Sequence, residues 1–347
     1  MTAPRRTRPD RTQDGSVLIV VLLLISVLVV SAVECLRLAR LEKASSRIFQ
    51  ASFQGACLTD SGLAFAKYLL FLDATKEDGD ESDHYGEPWA GFFQQDEHPR
   101  PEFESGQVNG SIVDEGGKFP VTSLVGEDGA INSDYASILE RLLRYPPYSL
   151  EETEAQTIVQ SLKDWQDTDD KPTGEFGAES AYYRVQEGPS ACPNRQMRAL
   201  TEMTSIRGVT QALYHGDQDR PGLKDLLSVH NQGGININTA PQLLLAAMAA
   251  PTVAPRTAAD FAENAVSYRQ DSDHFEFLKE NDWYRNRLAG YNDIQLPASV
   301  VTTSSSVFAI TVKAGPGKQG RSGLYAVLER QAGQNGAELK TLWRERR

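Results

Sequence analysis

Six carboxylates lie within sixteen residues of this chain, at Asp164, Asp167, Asp169, Asp170, Glu175 and Glu179. Pro172 and Gly174 favour a turn inside the stretch, so the acidic groups can converge. Hard oxygen ligands of this kind are those that calcium prefers. The stretch is not an EF-hand loop, because Gln166, Thr168 and Asp169 stand where that loop has Asp or Asn, Asp or Asn, and Gly.

Two interpretations of this acidic stretch stay open at the level of sequence. It is either a calcium site or a solvated loop whose carboxylates cap helices and pair with Lys163, Lys171 and Arg184. Calcium is therefore the one candidate cofactor. The aromatic residues nearby, Trp165, Tyr182 and Tyr183, are expected to anchor the core and not to bind a ligand.

Catalytic motifs are missing from the sequence. The five histidines are scattered and no two have a metal-ligand spacing such as H-E-x-x-H: His84, His98, His215, His230 and His274. There is no G-x-S-x-G nucleophile elbow and no glycine-rich phosphate loop. We therefore predict that the protein is not an enzyme.

Three cysteines, Cys35, Cys57 and Cys192, are too few for a disulfide scaffold. Cys35 and Cys57, if they share one helix, lie about 33 Å apart and cannot pair. A bond between Cys57 and Cys192 and three free thiols both remain open.

A basic leader precedes an uncharged run of 18 apolar or small residues, 16–33. As a helix this run spans about 27 Å, close to the thickness of the hydrocarbon core of a bilayer. The leader has four arginines and two aspartates, so the positive-inside rule keeps the N-terminus in the cytoplasm. The sequence predicts a single-pass membrane protein in which everything after Val33 lies on the side of the membrane away from the cytoplasm.

The leader ends in Gly15, and this arrangement resembles a type IV prepilin signal, in which a peptidase cuts between the equivalents of Gly15 and Ser16. An ordinary signal anchor is the alternative. Pilins of this class carry Glu at mature position five, which is Val20 here. Among the pseudopilins of type II secretion, that absence is typical of the K protein.

The spacing of apolar residues predicts an α+β fold. The membrane helix continues as an amphipathic spine to about Asp73, and residues 73–104 form an acidic surface loop. Strands are predicted over 107–114 and 118–124, and three more over 307–313, 322–331 and 338–343. Helices are predicted over 135–145, 149–165, 197–205, 221–228, 242–250 and 258–268, with Asn132 and Asn238 as caps.

Five regions follow from this pattern: a leader (1–15), a membrane and spine helix (16–73), an acidic loop with the first strands (74–130), an inserted all-α domain of two small bundles (131–290), and the C-terminal strands (291–347). The long helix is expected to pack on a small antiparallel sheet.

Two segments resemble the family of general secretion pathway protein K. Residues 161–184, SLKDWQDTDDKPTGEFGAESAYYR, are similar to its D-W-x-D and G-A-E-x-x-Y signature, and residues 233–248 contain its I-N-x-N-T-A block. The resemblance implies a minor pseudopilin at the tip of the type II secretion pseudopilus, beside minor pseudopilins I and J. It also implies processing by prepilin peptidase, contact with inner-membrane lipid, and a calcium site.

A membrane-tethered helix-hairpin-helix protein that binds DNA is the alternative, because residues 235–240, ININTA, also resemble the opening of that module. The formal charge of −12, which becomes −14 without the leader, opposes binding to nucleic acid. A periplasmic scaffold unrelated to pili is a third hypothesis.

Overall fold

The computed structural model describes residues 12–75, 81–91, 106–186, 191–315, 322–333 and 336–346. The chain divides into two compact units, residues 1–57 and 58–347.

The α-helices are α1 (Thr12–Ala74), α2 (Ser133–Arg144), α3 (Glu152–Gln166), α4 (Ser180–Tyr183), α5 (Gln211–His215), α6 (Leu223–Leu226), α7 (Gln242–Met248), α8 (Pro255–Gln270) and α9 (Trp283–Arg287). The strands are β1 (Gln107–Asp114), β2 (Phe119–Pro120), β3 (Leu227–Ser228), β4 (Ile235–Asn236), β5 (Val301–Thr302), β6 (Val307–Gly315), β7 (Ser322–Gly333) and β8 (Gly336–Arg346).

The first unit consists, where described, of the N-terminal part of α1. Its apolar side chains from Val17 to Val33 are exposed. Within the described residues, one helix is long and apolar enough to cross a membrane, judged by length and composition. The predicted helix is confirmed, since α1 runs without a break to Ala74. A single helix of this kind suits a single-pass membrane anchor.

The second unit contains a four-stranded antiparallel sheet in the order β1-β6-β7-β8. The C-terminal part of α1 packs on one face of the sheet. The shared core includes Leu63, Leu70, Ile112, Phe308, Ile310, Leu324 and Leu328. Because side chains alternate along a strand, every second residue of β6 and β7 reaches this core. The predicted packing of a long helix on a small antiparallel sheet is confirmed.

The chain leaves the sheet after β1 and returns at β6, and the residues between them, 115–306, form what we call the inserted domain. Its buried apolar side chains form one continuous core that extends from Phe119 to Val300. Helix α7 packs against both α2 and α8, and α2 also packs against α3. The predicted limits of this domain and its two bundles stay predictions.

Several predicted elements need correction. The strand over 118–124 is only Phe119–Pro120, which pairs in parallel with Leu227–Ser228 and leads into a 3-10 helix. The helix over 221–228 shrinks to the single turn α6, followed by β3. The helix over 197–205 is a 3-10 helix, Leu200–Ser205. In the first two places, pairing between the distant segments β2 and β3 overrides local propensity.

The acidic loop predicted over 73–104 is also wrong in part. Its residues 76–80 and 92–105 lie outside the described residues. The segment 81–91 is not a surface loop, because Asp83 and Trp89 are completely buried.

The two asparagines expected to cap helices have different roles. The Asn132 side chain accepts a hydrogen bond from the Asp134 N–H and caps α2 as predicted. Asn238 caps no helix, since α7 begins after Pro241. Its buried amide donates to the Leu278 carbonyl at 2.9 Å and accepts from the Trp283 indole N–H at 2.9 Å.

This difference predicts unequal effects of two matched substitutions. Asn132→Ala removes one exposed cap and is expected to lower the free energy of unfolding by about 1 kcal/mol. Asn238→Ala strands buried donors and acceptors and is expected to cost about 3 kcal/mol or more. Denaturant unfolding of the two variants measures this, and equal losses would contradict the assignment.

Candidate functional site

Three of the six predicted carboxylates converge in the inserted domain. Asp164, Asp167 and Glu179 are buried, and each offers an oxygen within 4.8 Å of the other two. The other three, Asp169, Asp170 and Glu175, are exposed and lie outside this group. We call Asp164, Asp167 and Glu179 the acidic cluster.

Local structure explains why these three meet. Asp164 lies in the last turn of α3 and Asp167 is its C-terminal cap, while Glu179 precedes α4. The loop between them folds back because the Thr173 N–H donates to Asp164 Oδ1 at 3.0 Å. Gly177 permits this approach, since a Cβ there would lie 2.3 Å from Asp164 Oδ2.

The charge of the acidic cluster is not balanced by the protein. Three carboxylates face Lys163, whose Nζ pairs with Asp167 Oδ2. Among the described residues, Asp167 Oδ1 and both oxygens of Glu179 have no hydrogen-bond partner. A buried carboxylate without a partner is costly. The arrangement therefore needs a cation or a proton.

The pKa values of the acidic cluster also indicate that it needs a cation or a proton. Burial, together with the charges of Asp164 and Asp167, raises the pKa of Glu179 to about 8. Burial also raises the pKa of Asp167, against the opposing effect of Lys163. These shifts mean that Glu179 takes up a proton at neutral pH unless a cation replaces it.

The donor set fits a calcium ion. All the converging groups are oxygens, which suits a hard cation. In the segment after α4, Asn194 Oδ1 is also buried and has no hydrogen-bond partner among the described residues. Its amide nitrogen donates to the Asp169 carbonyl at 2.5 Å. Nothing in the sequence pattern had pointed to Asn194.

The thiol of Cys192 lies beside the acidic cluster but is not an oxygen ligand. It donates to the Asp164 carbonyl at 3.3 Å, and burial raises its pKa to about 12. All three cysteines are free thiols, so the Cys57–Cys192 bond is not formed.

The aromatic anchors are largely as predicted. Trp165 and Tyr183 are buried and meet edge to face with ring centroids 5.3 Å apart. Tyr182 is only half-buried, with the Arg207 guanidinium 4.9 Å from its ring centroid. They position the end of α3, and hence the acidic cluster.

The INxNTA block, residues 235–240, lies where the inserted domain meets the sheet. Asn236 is fully buried, and its amide donates to the Asp114 carboxylate and to the Ser305 hydroxyl, both at 3.0 Å. Thr239 donates to the same carboxylate at 2.5 Å. Burial raises the pKa of Asp114 above its usual value, and these hydrogen bonds oppose the rise without cancelling it. The block fixes the inserted domain to the end of β1.

This burial argues against the nucleic-acid alternative. A helix-hairpin-helix module presents free backbone N–H groups to phosphates. Here the N–H groups of 235–240 all have internal acceptors: Val300 O, Gly116 O, Thr302 O, Asn236 Oδ1 and, twice, Asn236 O. The block has no donor left for a phosphate.

The N-terminal processing residues lie on α1. Gly15 and Ser16 are helical, and the Val20 side chain is exposed. Cleavage between Gly15 and Ser16 stays a prediction.

Comparison with known proteins gives a consistent result. Residues 117–216 match the family model described as type II secretion system (T2SS), protein K. A type II secretion system protein K from Aeromonas hydrophila is 27% identical over 216 residues, 59% of this chain and 61% of that protein. Its namesake from Pseudomonas aeruginosa is 27% identical over 245 residues, 69% of this chain and 68% of that protein.

The fold also has a counterpart among solved structures. A chain of the GspK-GspI-GspJ complex from the enterotoxigenic Escherichia coli type 2 secretion system aligns with a TM-score of 0.65 at 19% identity. The alignment covers 87% of this chain and 99% of that one. The family model falls on the inserted domain, with the acidic cluster inside the matched residues. The chain is therefore similar to type II secretion system protein K in sequence, and its fold resembles that of the GspK-GspI-GspJ complex chain.

Proposed function

We propose that this protein is the minor pseudopilin at the tip of the type II secretion pseudopilus. There it helps to initiate pseudopilus assembly and the export of folded proteins across the outer membrane. The observation that carries the proposal is the inserted domain, which interrupts a pilin-like helix-and-sheet unit between β1 and β6. The role is structural, and its partners are minor pseudopilins I and J.

Val20 supports a place at the tip. In a fibre, the charged N-terminus of each incoming subunit is buried and needs a carboxylate from a neighbour. A subunit that assembles first has no subunit above it to pair with, so an apolar residue is tolerated at this position. The inserted domain then prevents further stacking.

We further propose that prepilin peptidase cuts between Gly15 and Ser16 in the inner membrane, with the N-terminus cytoplasmic and the bulk of the chain periplasmic. The charged leader and the exposed apolar segment of α1 support this topology. After cleavage the same helix leaves the bilayer and packs into the pseudopilus.

Calcium is proposed as the ligand of the acidic cluster, held by Asp164, Asp167 and Glu179 with Asn194 beside them. The ion would neutralise the buried charge and tie the end of α3 to the start of α4. Asp169, Asp170 and Glu175 are then solvated residues of the loop. The support is the set of buried oxygens without partners described above.

Processing and function are tested with one substitution. Gly15→Ala is expected to leave the chain at its precursor mass and to abolish secretion in a strain that lacks its own protein K, because the peptidase requires glycine there. The wild-type chain loses its first fifteen residues and restores secretion. An unprocessed variant that still restores secretion would contradict the pseudopilin proposal.

The calcium proposal is tested with Glu179→Gln and the matched control Glu175→Gln. Calcium at a hundred times its Kd is expected to stabilise the wild type and the control by about 2.7 kcal/mol. Glu179→Gln should lose most of this gain yet be about as stable as the wild type in chelator, because Glu179 is protonated there and glutamine is a neutral side chain of the same shape. Thermal melts and calorimetric titration measure both effects.

Two results would overturn the calcium proposal: the same melting temperature for the wild type with calcium and with chelator, or equal calcium responses in the two variants.

A further inference from the structure

The segment 81–91 lies in an acidic part of the sequence but is built into the interior. Its buried side chains are Ser82, Asp83, His84, Glu87 and Trp89. Burying so many polar groups is favourable only when each has a specific partner. The partners of this segment come from three separate parts of the second unit.

On the sheet side, the segment is held by charge and by packing. Asp83 accepts two hydrogen bonds from the Arg330 guanidinium at 2.6 Å, and Arg330 also pairs with Asp73 at the end of α1. The Trp89 indole packs edge-on against Phe308 at 5.2 Å and belongs to the core between α1 and the sheet. The segment is therefore continuous with the pilin-like core.

On the side of the inserted domain, the contacts are equally close. The Tyr85 hydroxyl donates to the Thr239 carbonyl at 3.1 Å, and the Asn236 amide donates to the Asp83 carbonyl at 3.0 Å. The backbone at Gly86 lies against the Phe275 ring so closely that a Cβ would meet it at 2.0 Å. These contacts reach the INxNTA block and the region after α8.

The third set of contacts involves the return to the sheet. The Asp83 N–H donates to the Thr303 carbonyl at 2.9 Å, and the Ser305 N–H donates to Asp83 Oδ2 at 2.7 Å. The chain crosses between the sheet and the inserted domain twice, after Asp114 and before Val307. The segment 81–91 adds a third, non-covalent connection beside these crossings, through Asn236, Thr303 and Ser305.

We propose that the segment 81–91 is a clasp that fixes the orientation of the inserted domain on the sheet, with Asp83, Tyr85 and Trp89 as its positioning residues. Under the proposed function, on which this part rests, the clasp sets the direction in which the inserted domain faces its partners. The clasp itself is a property of the fold and is tested without those partners.

Hydrogen exchange of the full chain in detergent tests the clasp. Asp83→Asn weakens the pair with Arg330 at constant shape, and Glu81→Gln is the matched control at an exposed position. In Asp83→Asn, exchange is expected to become about tenfold faster or more in residues 81–91, 235–240 and 303–306, with α3 and β6 unchanged. The control should exchange like the wild type.

Tyr85→Phe provides a milder variant that keeps the Arg330 pair. It should speed exchange in 81–91 and 235–240 only. Exchange that is unchanged in both variants, or faster to the same degree throughout the chain, would overturn the clasp.

A secretion assay separates the clasp from the proposed function. Asp83→Asn is expected to restore secretion less well than Glu81→Gln at equal protein level. Local loosening with full secretion would leave the clasp in place and contradict its role in facing partners.

Discussion

The assembly of the second unit depends on the buried carboxylate of Asp114. It lies fully buried at the end of β1, where the chain leaves the sheet, and accepts hydrogen bonds from the Gly116 N–H, Asn236, Thr239 and Ser305. A buried charge is tolerated only if its donors are all present. The turn after β1, the INxNTA block and the return to β6 must therefore assemble together, and the inserted domain cannot fold in an arbitrary orientation.

Buried carboxylates are neutralised in two different ways in this protein. At the junction with the sheet, the protein supplies the cation itself, since Arg330 lies between Asp73 and Asp83. At the acidic cluster, Lys163 balances only part of the charge, and neither oxygen of Glu179 has a hydrogen-bond partner among the described residues. The first arrangement is a connection made entirely by the protein. Under the calcium proposal, the second makes the end of α3 depend on an ion from solution.

The sequence predicted the elements whose local pattern agrees with their environment. The alternation in 107–114 predicted β1 to the residue, and the apolar run predicted the continuous helix α1. The sequence-based prediction failed where contacts with distant residues determine the local structure. The segment 81–91 has a composition typical of a solvated loop, but contacts with Arg330 and Phe308, more than 200 residues away, make it part of the core. Asn238 precedes a helix in the sequence but bonds Trp283.

The candidate site was predictable in part for the same reason. Asp164 and Asp167 are three residues apart on one helix, so their proximity follows from sequence spacing. The position of Glu179 depends on the fold of the loop, and that of Asn194 on a segment beyond α4. Sequence alone therefore indicated the region of the acidic cluster, but not which carboxylates face inward.

The most direct test of the account is the assembly of this protein with its proposed partners. The tagged full chain, co-expressed with minor pseudopilins I and J of a type II secretion system, is purified from membranes in calcium and in chelator, and the mass of the complex is measured. The account predicts a discrete complex with one copy of each protein, weakened by the chelator. Absence of any complex in calcium, or a homopolymer of this chain, would contradict it.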